Sequence, residues 1–215
     1  MVKEKTNLET EVVTSEDGQN TYEIRRRWRE GRKALVIELY PTITRERGEC
    51  WDLSTLHLMS HASELGWGEI RIINLYSKVF SSKPVTADLK NDVENIAYIE
   101  EILESDDIRE YDIVIAWGSS LATHTVTTEA KIDLLTMLKE KGLEGHVKHI
   151  VTDCLCTNKQ TGTHPLYLGL HFSKDEWKLL NYPLNDVLKE LKKVSSEKKP
   201  KVKKKKGRKT NVLQN

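Results

Sequence analysis

The side chains best suited to hold a ligand in this 215-residue chain follow directly on its apolar runs. Four such runs end in Tyr40-Pro41-Thr42, in Asn74-Leu75-Tyr76-Ser77, in Trp117-Gly118-Ser119-Ser120 and, after a longer polar loop, in His164-Pro165-Leu166-Tyr167. Together they offer aromatic faces, hydroxyls, one amide and one imidazole, with no concentrated set of acids. That mixture suits a flat polar ring better than metal-assisted hydrolysis. An aromatic ring stacks on a base, and an Asn presents one donor and one acceptor to a base edge. Pro41, Thr42, Asn74, Tyr76, Trp117, Gly118, Ser119 and His164 are therefore the candidate ligand contacts, and His164 is the candidate catalytic group. The plain alternative is that Asn and Gly serve these positions as turn formers and the aromatics as the edge of a core.

Other constellations fall short of a chemistry. Cys154-Leu155-Cys156 with His164 and His171 lacks the paired spacing of a structural zinc site and reads as small, half-buried thiols at a strand end. Ser119, Ser120, His124 and Asp153 contain the residue types of a nucleophilic triad, but the Gly-x-Ser-x-Gly elbow is missing. His57 and His61 stand four apart without the Glu of a metalloprotease helix, which points to a solvated helix face. Glu100, Glu101, Glu104, Asp106 and Asp107 follow helical periodicity and read the same way. There is no Gly-rich phosphate loop of the nucleotide-triphosphate or dinucleotide type, and with the cysteine and histidine spacing short of a metal site no cofactor and no metal are expected.

The elements that must position the candidates are legible as an alternation. Residues 34–40 (ALVIELY), 69–75 (EIRIINL), 111–117 (YDIVIAW) and 146–152 (HVKHIVT) read as strands. Between them lie three amphipathic helices. Asp52 caps the first, which carries Leu53, Leu56, Met59, Ala62 and Leu65 and stops at Gly66; Thr86 caps the second, with Leu89, Val93, Ile96, Ile99 and Leu103. Thr127 or Thr128 caps the third, with Ile132, Leu135 and Leu138, and Gly142 ends it. A last helix spans about 184–194. Strands that alternate with helices must pair in parallel, so the expected fold is a three-layer α/β/α domain around a mostly parallel sheet of about four strands. In such sheets ligands sit at the carboxyl ends of the strands, near a topological switch point. Residues 1–20 read as a flexible lead-in, 21–28 (TYEIRRRW) as a short edge strand, 21–190 as the single domain and 191–215 as a tail that is disordered on its own.

Charge separates the same parts. Of 34 Lys and Arg and 33 Asp and Glu, residues 191–215 hold 11 and one, leaving 23 bases against 32 acids in residues 1–190: a tail of +10 on a body of −9. Lys198, Lys199, Lys201, Lys203, Lys204, Lys205, Lys206, Arg208 and Lys209 are the expected contacts to DNA or RNA, through counterion release that carries little sequence information. A solubility tail, or one folded back on the acidic body, is the bland counterpart. No run approaches a membrane span of about 18 apolar residues, and the N-terminus lacks the pattern of a secretory signal. With three cysteines, Cys50, Cys154 and Cys156, a reducing cytoplasm is the expected location.

Several segments in order resemble the bacterial and phage family catalogued as domain of unknown function 1643. They are RRRW (25–28), LYPT (39–42), LGWGEIRIINLYS (65–77), Asn91-Asp92, AWGSS (116–120) and CTNKQTGTHPLYL (156–168), over about residues 22–171. Members read Asn-Pro-Ser after the first strand, where this chain has Tyr40-Pro41-Thr42; a ligand contact made by that Asn would be altered here. A weaker likeness is to uracil-DNA glycosylase-like folds, which implies that Asn74 recognises a base edge and His164 stabilises a leaving base. It supplies no water-activating carboxylate in the first loop. Two functional expectations follow. One is a nucleic-acid-associated protein of a mobile element, phage or bacterium, with a nucleobase or nucleotide pocket and glycosidic chemistry as an extension. The other is a non-catalytic interaction module with an acidic docking body and a basic handle. An open pocket of about 300 Å³ or more lined by Asn74, Trp117 and His164 counts against the second.

Overall fold

The computed structural model describes residues 1–43, 50–80, 84–90, 92–122, 124–156 and 161–198. In chain order the elements are β1 (Glu9–Thr14), β2 (Thr21–Arg27), β3 (Arg32–Glu38), α1 (Leu53–His61), β4 (Trp67–Asn74), α2 (Val93–Glu104), β5 (Tyr111–Ile115), α3 (Thr125–Glu140), β6 (Val147–Val151), α4 (Asp153–Cys156), α5 (Pro165–Phe172), β7 (Lys178–Asn181) and α6 (Leu184–Lys198).

The four apolar runs form the centre of the sheet, whose order is β1-β2-β4-β3-β5-β6-β7. β4, β3, β5 and β6 run parallel. β1 pairs with β2, β2 with β4, and β7 with β6, all antiparallel. The expectation of about four mostly parallel strands is thus corrected: there are seven strands among the described residues, and half of the neighbouring pairs are antiparallel. β2 is an interior strand rather than an edge, and β1 lies inside the stretch expected to be a flexible lead-in.

Side chains alternate across β3 as strand geometry requires. Leu35 and Ile37 meet Ile99, Leu103, Leu134, Leu135 and Leu188 of α2, α3 and α6 on one face. Ala34 and Val36 meet Leu58 of α1 and Leu168 of α5 on the other. The sheet therefore lies between two helical layers, with a buried core on each side. Each fully buried Leu or Ile contributes about 1.5–3 kcal/mol by leaving water.

The helix starts differ in detail from the sequence reading. Asp52 does cap α1, its Oδ1 accepting from the Thr55 N–H at 2.7 Å. α2 begins later than expected: Asp92 is its cap, and Thr86 lies in a separate 3₁₀ turn closed by Asp88, which accepts from the Val85 N–H at 3.0 Å. α3 begins at Thr125, so Thr127 and Thr128 sit inside it; Thr128 Oγ1 donates back to the His124 carbonyl at 3.0 Å. α6 runs to Lys198 and crosses the expected boundary at residue 190. Lys199, Lys201, Lys203, Lys204, Lys205, Lys206, Arg208 and Lys209 lie outside the described residues. No helix among the described residues is long and apolar enough to cross a membrane.

Candidate functional site

From β3 the chain turns first to β4 on one side and then, through α2, to β5 on the other. The carboxyl ends of β3 and β5 therefore flank the switch point, where the connections leave a crevice. The N-terminal ends of α1 and α5 border it. The resulting cavity of about 440 Å³ is lined by Glu38, Tyr40 and Thr42 after β3, by Trp51, Asp52 and Ser54 at α1, by Trp117 and Ser120 after β5, and by His164 and Leu166 at α5. A second lobe of about 630 Å³ shares Tyr40, Ser120, His164 and Leu166 with it and adds Gly118, Ser119, Thr161, Thr163, Tyr167 and Leu170.

Glu38 lies deepest. It is the last residue of β3, 5% exposed, and its Oε1 has no hydrogen-bond partner. Burial, reinforced by the nearby Asp52 carboxylate, pushes its acid well above the usual carboxylate range. Asp52 is fixed by two contacts, the α1 cap and the Thr42 hydroxyl, which donates to Oδ2 at 2.7 Å. The two carboxyls thus differ in environment: one is sequestered, the other hydrogen-bonded at a helix N-terminus.

His164 caps α5. Its Nδ1 accepts from the Leu166 N–H at 3.2 Å. Burial holds its pKa below the ordinary imidazole value, with Asp52 opposing. The neutral ring, with Nδ1 occupied as acceptor, carries its proton on Nε2 and is a donor there. Gly118 sets the position of this ring. Its φ of +63° is one that glycine adopts freely, its N–H donates to the Gly162 carbonyl at 2.8 Å, and a Cβ on it would stand 2.9 Å from His164 Cβ. Behind Gly118, Lys131 of α3 is buried with its ammonium 4.9 Å from the Trp117 ring centre and 3.5 Å from the Gly118 carbonyl. Burial lowers its pKa to about 8.

Five of the eight expected contacts meet at this cleft. Thr42 and Trp117 line the first lobe, Gly118 and Ser119 the second, and His164 both. Pro41, Asn74 and Tyr76 line neither lobe. Tyr76 is core, its hydroxyl bonded to Thr127 at 3.1 Å. Asn74 is 2% exposed and paired in register with Glu38. The sequence reading missed Glu38, Trp51 and Asp52 as lining residues. The one signal for Glu38 was a lone acid inside the apolar run ALVIELY.

The remaining constellations do not assemble. Asp153 is exposed and pairs with Lys178 at 3.1 Å. Cys154 is exposed on α4 rather than half-buried at a strand end. His61 does not face solvent as expected: it is buried, stacked on Trp177 with ring centres 3.9 Å apart, and bonded to Glu64. His57 packs so closely on Gly169 that a Cβ there would overlap its ring. Among the described residues no three His, Cys, Asp or Glu are placed to hold a metal ion.

Fold and cleft together define an α/β domain with a two-lobed pocket at the switch point of its sheet. The chain belongs to the family described as protein of unknown function (DUF1643), whose match spans residues 21–166. No curated protein and no solved structure gives a significant match.

Proposed function

We propose that the cleft binds a planar, polar heterocycle of the nucleobase kind, free or as part of a nucleoside or nucleotide. The observation that carries this reading is a buried carboxyl with an unpaired oxygen, Glu38, in a cavity walled by the aromatic rings of Tyr40, Trp51 and Trp117. The rings supply stacking surface, and the hydroxyls of Thr42, Ser54, Ser119 and Ser120 supply hydrogen bonds for a sugar. The cavity is larger than about 300 Å³ and is lined by Trp117 and His164 but not by Asn74, so it meets only part of the condition that counts against the interaction module. The basic run at residues 198–209 supports a second element, in which the tail holds the protein on DNA or RNA. Hydrolysis of an N-glycosidic bond is the chemical extension of this reading, with His164, which lines both lobes, as the donor to the leaving base.

A thermal-shift panel of bases, nucleosides and nucleotides on the full-length protein tests it. A ligand at about 100 times its Kd adds roughly 2.7 kcal/mol of stability, which raises Tm by roughly 5–10 °C in a chain of this size. Trp51→Ala and His164→Ala are expected to abolish the shift. A flat panel on folded protein overturns the reading. It would favour the interaction module, for which the exposed Leu53, Leu56 and Leu170 beside the cleft are the supporting observation.

A further inference from the structure

We infer that Glu38 is the specificity-determining contact of the cleft: its carboxyl group pairs, through one donor and one acceptor, with a heterocycle edge that sets a donor beside an acceptor. This rests on the reading of the cleft as a heterocycle site and names what that site selects.

Glu38 points to the α1/α5 face, as do Ala34 and Val36 at the alternate positions of β3. It stands opposite Asn74 in the parallel pairing of β3 with β4. Both residues are at most 5% exposed, and Glu38 Oε1 and Asn74 Oδ1 are without hydrogen-bond partners. An orphaned buried polar atom costs about 1–3 kcal/mol, and folded proteins keep few of them. Two at neighbouring positions, one of them lining a cavity large enough for a ligand, are the arrangement of a site whose partner comes from outside the chain.

The groups around Glu38 decide which form of the acid that partner meets. From α1 comes Asp52, a negative charge; from α5, His164, neutral and a donor at Nε2; from β4, the Asn74 amide; and on the β5 side the neighbouring residue of this face is Ala116. None of these is a cation; Arg26 of β2, buried over the Trp51 ring, is engaged by the Thr10 hydroxyl and the Cys50 carbonyl and acts on Asp52. Burial and Asp52 both favour the protonated acid. A carboxylic acid kept neutral in this way donates through its hydroxyl and accepts through its carbonyl, in one plane. Lactam and amidine edges, such as those of uracil, cytosine, guanine and adenine, present the matching pair. An anionic edge finds no such match and faces Asp52.

Calorimetric titration of the full-length protein tests this with 9-methyladenine, 1-methylcytosine and 1-methyluracil. Each is compared with the analogue whose edge donor is fully replaced by methyl groups, N6,N6-dimethyl for adenine, N4,N4-dimethyl for cytosine and N3-methyl for uracil, which keeps the ring and removes the donor. Loss of the donor is expected to weaken binding at least about tenfold, since it strands a buried polar group. Glu38→Leu is expected to weaken the parent bases similarly. Glu38→Gln, whose amide also offers a donor and an acceptor, is expected to bind within about threefold of the native protein. Native affinity for 9-methyladenine or 1-methylcytosine should fall about tenfold per pH unit once pH passes the folded pKa of Glu38, and the Gln variant should show no such fall. Equal binding of parent and edge-methylated bases, or undiminished affinity in Glu38→Leu, overturns the role of Glu38 and leaves the cleft reading standing. Absence of binding by every parent base overturns both.

Discussion

Glu38 and Lys131 are both buried on the flanks of one cleft, and they pull stability in opposite directions with pH. Glu38 is an acid whose folded pKa is raised. Its contribution is fully present below its unfolded value near 4.5 and is lost as pH rises through the folded value. Lys131 is a base whose folded pKa is lowered, to about 8 against 10.5, by burial alone. Its cost is present below about 8 and is relieved as pH rises to 10.5. A shift of that size is worth about 3 kcal/mol at neutral pH, reduced by the Trp117 and Gly118 contacts of the ammonium. Lys131→Met is therefore expected to stabilise the protein by about 1–3 kcal/mol at pH 7 and to lose that advantage above pH 10, read by urea denaturation. A variant less stable than the native protein at both pH values would mean that the contacts outweigh the desolvation. Residues of this kind are only partly legible in sequence. Glu38 could be singled out because an acid is anomalous in ALVIELY. Tyr76 looked like a ligand contact because it follows a strand, yet its hydroxyl bonds Thr127, which lies 51 positions away.

Elements were legible where burial is apolar and illegible where it is polar. β3, β4, β5 and β6 are sandwiched between helices and read as apolar runs. β2 reads as a short strand, but its interior place does not, because one of its faces carries charge in place of an apolar run. Arg71 grips Glu23 with bonds of 2.6 and 2.9 Å, Arg25 grips Glu69 at 3.1 and 3.0 Å, and the Tyr98 and Tyr111 hydroxyls donate to Glu23 and Glu69. Each acid thus has its base and its phenol on other strands or a helix, which no local window reveals. β1 and β7 are edge strands with little apolar content. At the site, the cleft depends on how tightly the segment after β5 approaches α5. Gly118→Ala places a Cβ against His164 and forces a non-glycine residue to φ +63°, so it is expected to cost about 2–3 kcal/mol and to weaken ligand binding. Gly18→Ala is the control. Its φ is +70° with nothing within 4 Å of the added Cβ, so only the backbone term of about 1 kcal/mol applies and binding stays unchanged. Denaturation midpoints of the two variants separate strain from collision. Equal losses would show that the Gly118–His164 approach contributes nothing.

Across the whole molecule, charge is divided unevenly along the chain. Residues 199–215, beyond α6, hold eight Lys and Arg and no acid, which leaves 26 bases against all 33 acids in residues 1–198, a net of −7. A net-negative body opposes a polyanion, so in the proposed reading the attraction comes from the tail, and its range is limited to about 10 Å at 0.1 M salt. Association with nucleic acid should then be salt-steep and indifferent to sequence. Each phosphate neutralised on duplex DNA contributes about 0.9 to the slope of log K against log salt, so up to eight contacts give a slope of up to about 7 in magnitude. Fluorescence anisotropy with unrelated duplexes of equal length is expected to give equal affinities that collapse between about 50 and 200 mM salt. Truncation after Lys198, which preserves α6 and its packing on α3, should abolish binding at every salt concentration while leaving base binding in the cleft intact. If the truncated protein still binds duplex with the same slope, the tail is not the nucleic-acid contact and a basic contact must be sought on the folded surface. If truncation weakens base binding instead, the tail acts on the cleft, and the acidic body rather than nucleic acid is its natural counterpart.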